Sequence, residues 1–226
     1  LTTTEERLSE RAYQALRADI MLCRLTPGQR VSEALLAERL GFGKAPVRTA
    51  LARLCQEGLM AARARSGFTV APITPEDIMH CFQIRLALEP MAGRLAAGRL
   101  TTAHVRRLVR ATTITVEPDD PDQHRKILEA DQDFHETIAE ASGNPRLHQI
   151  LQNLYERGQR PLFMGIPQSE GAAAYRAGSQ PVLAALIAGD GEKAAQLLYE
   201  HVYTGQNFVI EAVLRRYPSP EDEGVD

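Results

Sequence analysis

Apolar residues recur every three or four positions over most of the chain, the period of an α-helix with one buried face. Leu8, Ala12, Ala15, Leu16 and Ile20 mark one side of a helix over about 4–22. Leu25-Thr26-Pro27-Gly28 predicts a turn, and Ser32, followed by Glu33, predicts the cap of a short helix over 34–40. Gly41-Phe42-Gly43 predicts a second, tight turn. A third helix follows over about 45–57, with Pro46 in its first turn and Gly58 ending it. Its apolar side, Val47, Leu51 and Leu54, is expected to pack on Leu36 and Leu40. Residues 59–63 and 68–71 flank a turn at Ser66-Gly67 and read as a hairpin. Helix, helix, three-residue turn, helix, hairpin is the order of a winged helix-turn-helix.

From Thr74 onward the pattern is helical throughout. Thr74 is a good N-cap and Pro75 suits the first helical position, so a long helix is predicted to about 97. Ile78, Phe82, Leu86 and Leu88 mark its expected buried face. Thr101 or Thr102 caps a second helix carrying Val105, Leu108 and Val109. The prolines in 117–121 break the chain before a third helix over about 122–141. Ser142-Gly143-Asn144-Pro145 reads as a stop and restart. Helices are then expected at about 145–163, 173–188 and 191–215, the last two parted by Gly189-Asp190-Gly191. The predicted fold class is mainly α, with a winged helix-turn-helix over 1–74 and an all-α bundle of about six helices over 75–226. A bundle of that size can hold a ligand cavity between its helices.

Charge changes the picture of the first segment. The whole chain carries a net charge of −3, which taken alone discourages a nucleic-acid partner. Residues 1–74, however, hold 11 Lys+Arg against 7 Asp+Glu, and the remainder 15 against 22. Between positions 39 and 65, Arg39, Lys44, Arg48, Arg53, Arg63 and Arg65 face Glu57 alone. This asymmetry fits a first segment that meets a polyanion, or a basic face that is simply solvated; the winged helix-turn-helix order makes double-stranded DNA the expected partner. In a helix-turn-helix the second helix enters the major groove with its N-terminal residues at the base edges. Here those are Lys44, Ala45, Pro46 and Arg48, with Arg39 and Arg53 in the same basic stretch. The Arg48 guanidinium can fork onto guanine, whereas Lys44 is a less selective cation. Arg63, Arg65, Ser66 and Gly67 on the wing would meet phosphates or the minor groove.

Other compositional features set the expected compartment. Cys23, Cys55 and Cys81 are odd in number and lack CxxC spacing, as expected for reduced thiols. No apolar run approaches the ~20 residues of a membrane span. The first residues are charged, without the apolar core of a secretion signal. A cytoplasmic protein without a membrane partner is expected.

The residues of the first segment resemble a known family. Leu25-Thr26-Pro27-Gly28-Gln29-Arg30-Val31-Ser32-Glu33, Leu36-Ala37-Glu38-Arg39-Leu40-Gly41, Ala45-Pro46-Val47-Arg48-Thr49-Ala50-Leu51-Ala52-Arg53-Leu54 and Glu57-Gly58-Leu59 look like the GntR family of bacterial transcription regulators. The resemblance implies a homodimer that binds operator DNA. This chain departs from the family pattern at Ala34, Lys44, Ala45 and Thr49, so no operator sequence carries over.

The second segment resembles the FCD ligand-binding domain of the FadR-type branch, in its six-helix form. The matching residues are Ile84-Arg85-Leu86-Ala87-Leu88-Glu89, Asp131-Gln132-Asp133-Phe134-His135, Ser142-Gly143-Asn144-Pro145-Arg146-Leu147, Ala188-Gly189-Asp190 and His201. The resemblance implies a pocket for a small carboxylic acid, often beside a divalent metal.

Asp131 and His135 stand four apart, so a carboxylate and an imidazole project from one helical face. That is a workable half-site for a Zn, Ni or Mn type ion, which His201 can complete from the last helix. A further family histidine falls at Ser179, whose hydroxyl is a poor ligand beside a neutral imidazole, so Ser179 is expected to contact the effector instead. Three readings stay open. The metal persists on Asp131, His135 and His201 with water or effector completing its shell; or it binds weakly; or these residues bind the effector directly. Arg85, set amid Phe82, Ile84, Leu86 and Leu88, needs an anionic partner: the effector carboxylate, or a structural ion pair with Asp131 or Glu89. Effector binding is expected to act on the DNA-binding segment through residues 71–75.

Two other classes compete with a ligand-responsive regulator. An enzyme would use Asp131, His135 and His201 to activate water, though no general base stands near them in sequence. An architectural DNA binder would have a solid bundle.

Overall fold

The computed structural model describes residues 4–63, 67–114, 123–165 and 178–216. The chain divides into two compact units, Leu1–Ile73 and Thr74–Asp226.

The first unit runs α1 (Thr4–Met21), β1 (Arg30–Val31), α2 (Glu33–Leu40), α3 (Lys44–Gln56), β2 (Met60–Arg63) and β3 (Gly67–Val70). Its core is one cluster in which Ala12, Leu16 and Ile20 of α1 meet Leu36 of α2 and Val47, Leu51 and Leu54 of α3. These are the positions that the apolar period marks. Ser32 caps α2, accepting a hydrogen bond from the Leu35 amide at 3.1 Å. Gly41 ends that helix in the left-handed region at φ 67°, where a side chain would be strained.

The sheet is antiparallel, in the order β1-β3-β2, with Arg63 opposite Gly67 and Val31 opposite Phe68. β1 is not foreseen from sequence, because two residues carry no period. It anchors the wing: Gly67, at φ 85°, lies so close to β1 that a Cβ would meet the Val31 carbonyl oxygen at 2.5 Å.

The second unit comprises α4 (Pro75–Ala96), α5 (Thr102–Thr112), α6 (Gln123–Ala141), α7 (Pro145–Gly165), α8 (Ser179–Ala188) and α9 (Gly191–Arg216). Thr74 and Asp77 form a reciprocal capping box at the start of α4, with Pro75 in its first turn. Asn144 accepts from the Arg146 and Leu147 amides at 3.2 Å, restarting the chain as α7. α4 packs along α9, and α6 packs against α4, α5 and α7. Gly93 permits the first of these contacts, since a Cβ there would stand 3.2 Å from Leu198 Cδ2.

The buried face of α4 differs from the one expected. Its buried residues are Ile78, Phe82, Arg85, Glu89, Ala92, Gly93 and Ala96, while Leu86 and Leu88 are half-buried flanks. The spacing is regular, but two central positions are charged, so an apolar pattern points beside the true stripe. The break expected at 117–121 and the helix start expected at 173 lie outside the described residues. Among the described residues, no helix is long and apolar enough to cross a membrane.

Candidate metal centre and nucleic-acid interface

Asp131 and His135 lie one turn apart on α6, and α9 brings His201 against them. The two imidazole centroids are 5.2 Å apart at 28°, a stacked arrangement. One ligand atom from each of Asp131, His135 and His201 lies within 4.8 Å of the other two. Nε2 of His135 is 3.7 Å from Asp131 Oδ1.

Behind His135 lies a residue that sequence reasoning weighed only as a partner for Arg85. Glu89 Oε2 is 2.5 Å from His135 Nδ1, and Glu89 Oε1 accepts from Arg85 Nε at 2.5 Å. Arg85, Glu89 and His135 are each 1% exposed. The Arg85 guanidinium also lies 4.8 Å from the Phe82 ring centroid and 5.2 Å from that of Tyr155. Of the two roles weighed for Arg85, the ion pair with Glu89 is the arrangement present. The signal available in sequence was the Arg85/Glu89 spacing of four inside an apolar stripe.

The electrostatics of this cluster prepare His135 and His201 as ligands. Burial alone would raise the pKa of Glu89, but the Arg85 and His135 charges and hydrogen bonds outweigh it and bring it to about 2. An ionised carboxylate only accepts, so Nδ1 of His135 donates to it. That leaves Nε2, on the Asp131 side of the ring, as the His135 atom a metal could take. Burial, and then the neighbouring His135, pull the His201 pKa down to about 3, leaving the neutral imidazole that metals bind. Burial also raises the Tyr155 phenol well above its usual value, with Glu89 adding to the effect. Its hydroxyl donates to the His135 carbonyl oxygen at 3.5 Å.

One carboxylate and two imidazoles, with a carboxylate behind one ring, suit a divalent first-row ion. Ser179 is buried in the first turn of α8 and, with Asp131, lines a cavity of ≈ 20 Å³ walled by Ile114, Ile127 and Phe134. That volume accommodates about one water molecule.

In the first unit, α3 exposes Lys44, Ala45, Arg48 and Thr49, whereas Pro46 is buried beside Val47. Gly43 caps the helix without a side-chain hydrogen bond. Arg48 is held by both carboxylate oxygens of Glu33, Nε to Oε2 and Nη2 to Oε1, each at 2.9 Å.

Two further arginines of the basic stretch are engaged within the unit. Arg39 pairs with Asp19 of α1. Arg53 bonds Glu10 at 2.9 Å and Glu57 at 3.2 Å, and lies 3.6 Å from the Tyr13 ring centroid. Six bases against one acid describes the sequence between 39 and 65; folding adds Glu10, Asp19 and Glu33 to that neighbourhood. Among the described residues, Lys44 and Arg63 make no ion pair, and both are exposed. Gly67 is half-buried against β1, and Arg65 and Ser66 lie outside the described residues.

Comparison with known proteins agrees with both halves of this architecture. The family of bacterial regulatory proteins named gntR matches residues 8–70, and the FCD domain matches residues 80–204. A "Probable D-xylose utilization operon transcriptional repressor" of Paenarthrobacter nicotinovorans is 31% identical over 79% of this chain and 78% of its own. The transcriptional repressor RspR of Escherichia coli K12 is 24% identical over 86% of each chain. A GntR transcriptional regulator from Rhodococcus sp. RHA1 shares the fold, with a TM-score of 0.73 and 22% identity over 90% of this chain and 97% of that one. The chain thus belongs to the GntR family of transcription regulators, with a C-terminal FCD domain, and not to a family of enzymes.

Proposed function

We propose that the protein is a metabolite-responsive regulator that binds operator DNA as a homodimer. Its first unit reads the duplex with Lys44, Ala45 and Arg48 on α3 and with Arg63, Arg65 and Ser66 on the wing. Its second unit holds a divalent metal on Asp131, His135 and His201, with a small organic acid as effector. The observation that carries this reading is the convergence of those three residues in front of the Glu89–Arg85 pair.

Each residue has a distinct task. Glu89 fixes the tautomer of His135 and Arg85 keeps Glu89 ionised. Burial keeps His201 neutral. Ser179 offers a small polar wall where a fourth protein ligand would close the site, leaving a coordination position for water or an effector oxygen. A bound ion would supply positive charge for the effector carboxylate. Arg85, expected from sequence as a clamp for that carboxylate, serves in this reading through Glu89. Binding in the bundle alters operator affinity only if the effector favours one of two arrangements of the dimer.

The test uses full-length protein purified without chelator. Elemental analysis is expected to find a bound divalent ion, and a His201→Ala variant to lose it. A thermal-shift screen of small organic acids is expected to yield a stabiliser that needs the metal and that changes affinity for duplexes from the adjacent promoter region. A stabilising acid indifferent to metal removal would replace the metal centre by direct binding. Failure of both added zinc and every acid to shift the melting temperature would sink the effector reading.

A further inference from the structure

We infer that Glu33 is a positioning residue: it dictates which edge of the Arg48 guanidinium faces a base, and so how strictly α3 selects the base that Arg48 reads. This rests on the DNA-reading role proposed for α3. A guanidinium has two edges that can make paired hydrogen bonds, the Nε/Nη2 side and the Nη1/Nη2 end. Glu33 occupies the side edge with both oxygens at 2.9 Å. Among the described residues Nη1 makes no hydrogen bond, so the end edge is the one left to project. That edge matches the N7 and O6 acceptors of guanine.

The brace is anchored at a helix start. Glu33 opens α2, directly after the Ser32 cap, and its side chain is 20% exposed against 70% for Arg48. The hydrogen bond from Arg48 lowers the Glu33 pKa, with Lys44 nearby adding to the effect, so the pair is ionised at neutral pH. An unbraced arginine of this exposure samples many rotamers and can settle on any phosphate. The carboxylate acts a second time, because its charge repels the phosphate backbone and weakens sequence-independent binding. Both effects widen the gap between a preferred duplex and a random one.

The experiment selects preferred duplexes from a random-sequence library with full-length wild-type protein. Affinities for the winner, its single-base variants and an unrelated duplex of equal length are then measured by fluorescence anisotropy at two salt concentrations. Arg48→Ala should abolish the preference at the base it reads. Glu33→Gln should weaken that same preference roughly 10-fold and bind the unrelated duplex about 3-fold more tightly. Glu33→Asp, which keeps the charge but shortens the reach, should lose the preference without the gain in unrelated binding. An unchanged or sharpened preference in Glu33→Gln would overturn the inference, the sharpened case meaning that the carboxylate blocks Arg48 instead of aiming it. If Arg48→Ala leaves every preference intact, reading by α3 itself is wrong, and the role of Glu33 falls with it. Circular dichroism melts of each variant separate these outcomes from unfolding.

Discussion

Two of the chain's arginine–glutamate pairs lie in opposite surroundings. Arg48 and Glu33 meet at the surface of the first unit, their side chains 70% and 20% exposed. Arg85 and Glu89 meet inside the bundle, each 1% exposed. In water an ion pair contributes little, because solvent competes for both partners and salt screens the charge. Such a pair can orient its arginine while adding little to the stability of the fold. The buried pair has no such freedom, since separating it strands a charge in a medium that cannot solvate it. The same chemistry thus serves to aim a side chain in one unit and to hold the fold in the other.

The largest expected effect breaks the buried side of this comparison. Arg85→Ala should destabilise the second unit by about 3–5 kcal/mol, measured by urea unfolding. Replacing both partners, Arg85→Met with Glu89→Leu, should recover part of that loss, because the charges of the pair are gone although His135 Nδ1 loses its acceptor. If the double variant is as unstable as the single one, the pair is doing more than neutralising itself. A smaller effect sharpens the link to the metal. Glu89→Gln keeps an acceptor but weakens the hold on His135, and should lower zinc affinity about 10- to 100-fold in competition with a chromophoric chelator. The smallest effect concerns the surface. Arg39→Ala and Arg53→Ala should leave base preference unchanged in the anisotropy assay, because both side chains are engaged with acids of α1. A loss of preference in either would show that these pairs open to reach DNA.

The helices of the first unit were readable from sequence because burial follows apolar identity there: Leu16, Ile20, Val47, Leu51 and Leu54 are all 0% exposed. α4 was harder. Its helical span and its start at Pro75 follow from capping residues, but its buried stripe passes through Arg85 and Glu89. Apolar periodicity is blind to a charge that folding neutralises. The same limit hid the partners of the basic stretch, because Glu10 and Asp19 lie on α1, far from Arg53 and Arg39 in sequence. Asp131 and His135 were legible as a pair through helical spacing. His201 stands 66 positions after His135 and no local spacing connects them; only the family resemblance pointed there. The role of Glu89 behind His135 depends on α4 packing against α6, a contact with no sequence period of its own.

The Arg85–Glu89 pair also constrains how this protein can change over generations. A lineage that loses either residue first passes through a molecule with an orphaned buried charge, and selection against misfolding removes it before the second substitution arrives. The two positions are therefore expected to change together. Diversification of ligand preference among descendants would then be channelled toward neighbours that carry no such bond. Ser179, small and uncharged at the edge of the cavity, is a place where new chemistry can enter without first dismantling the old.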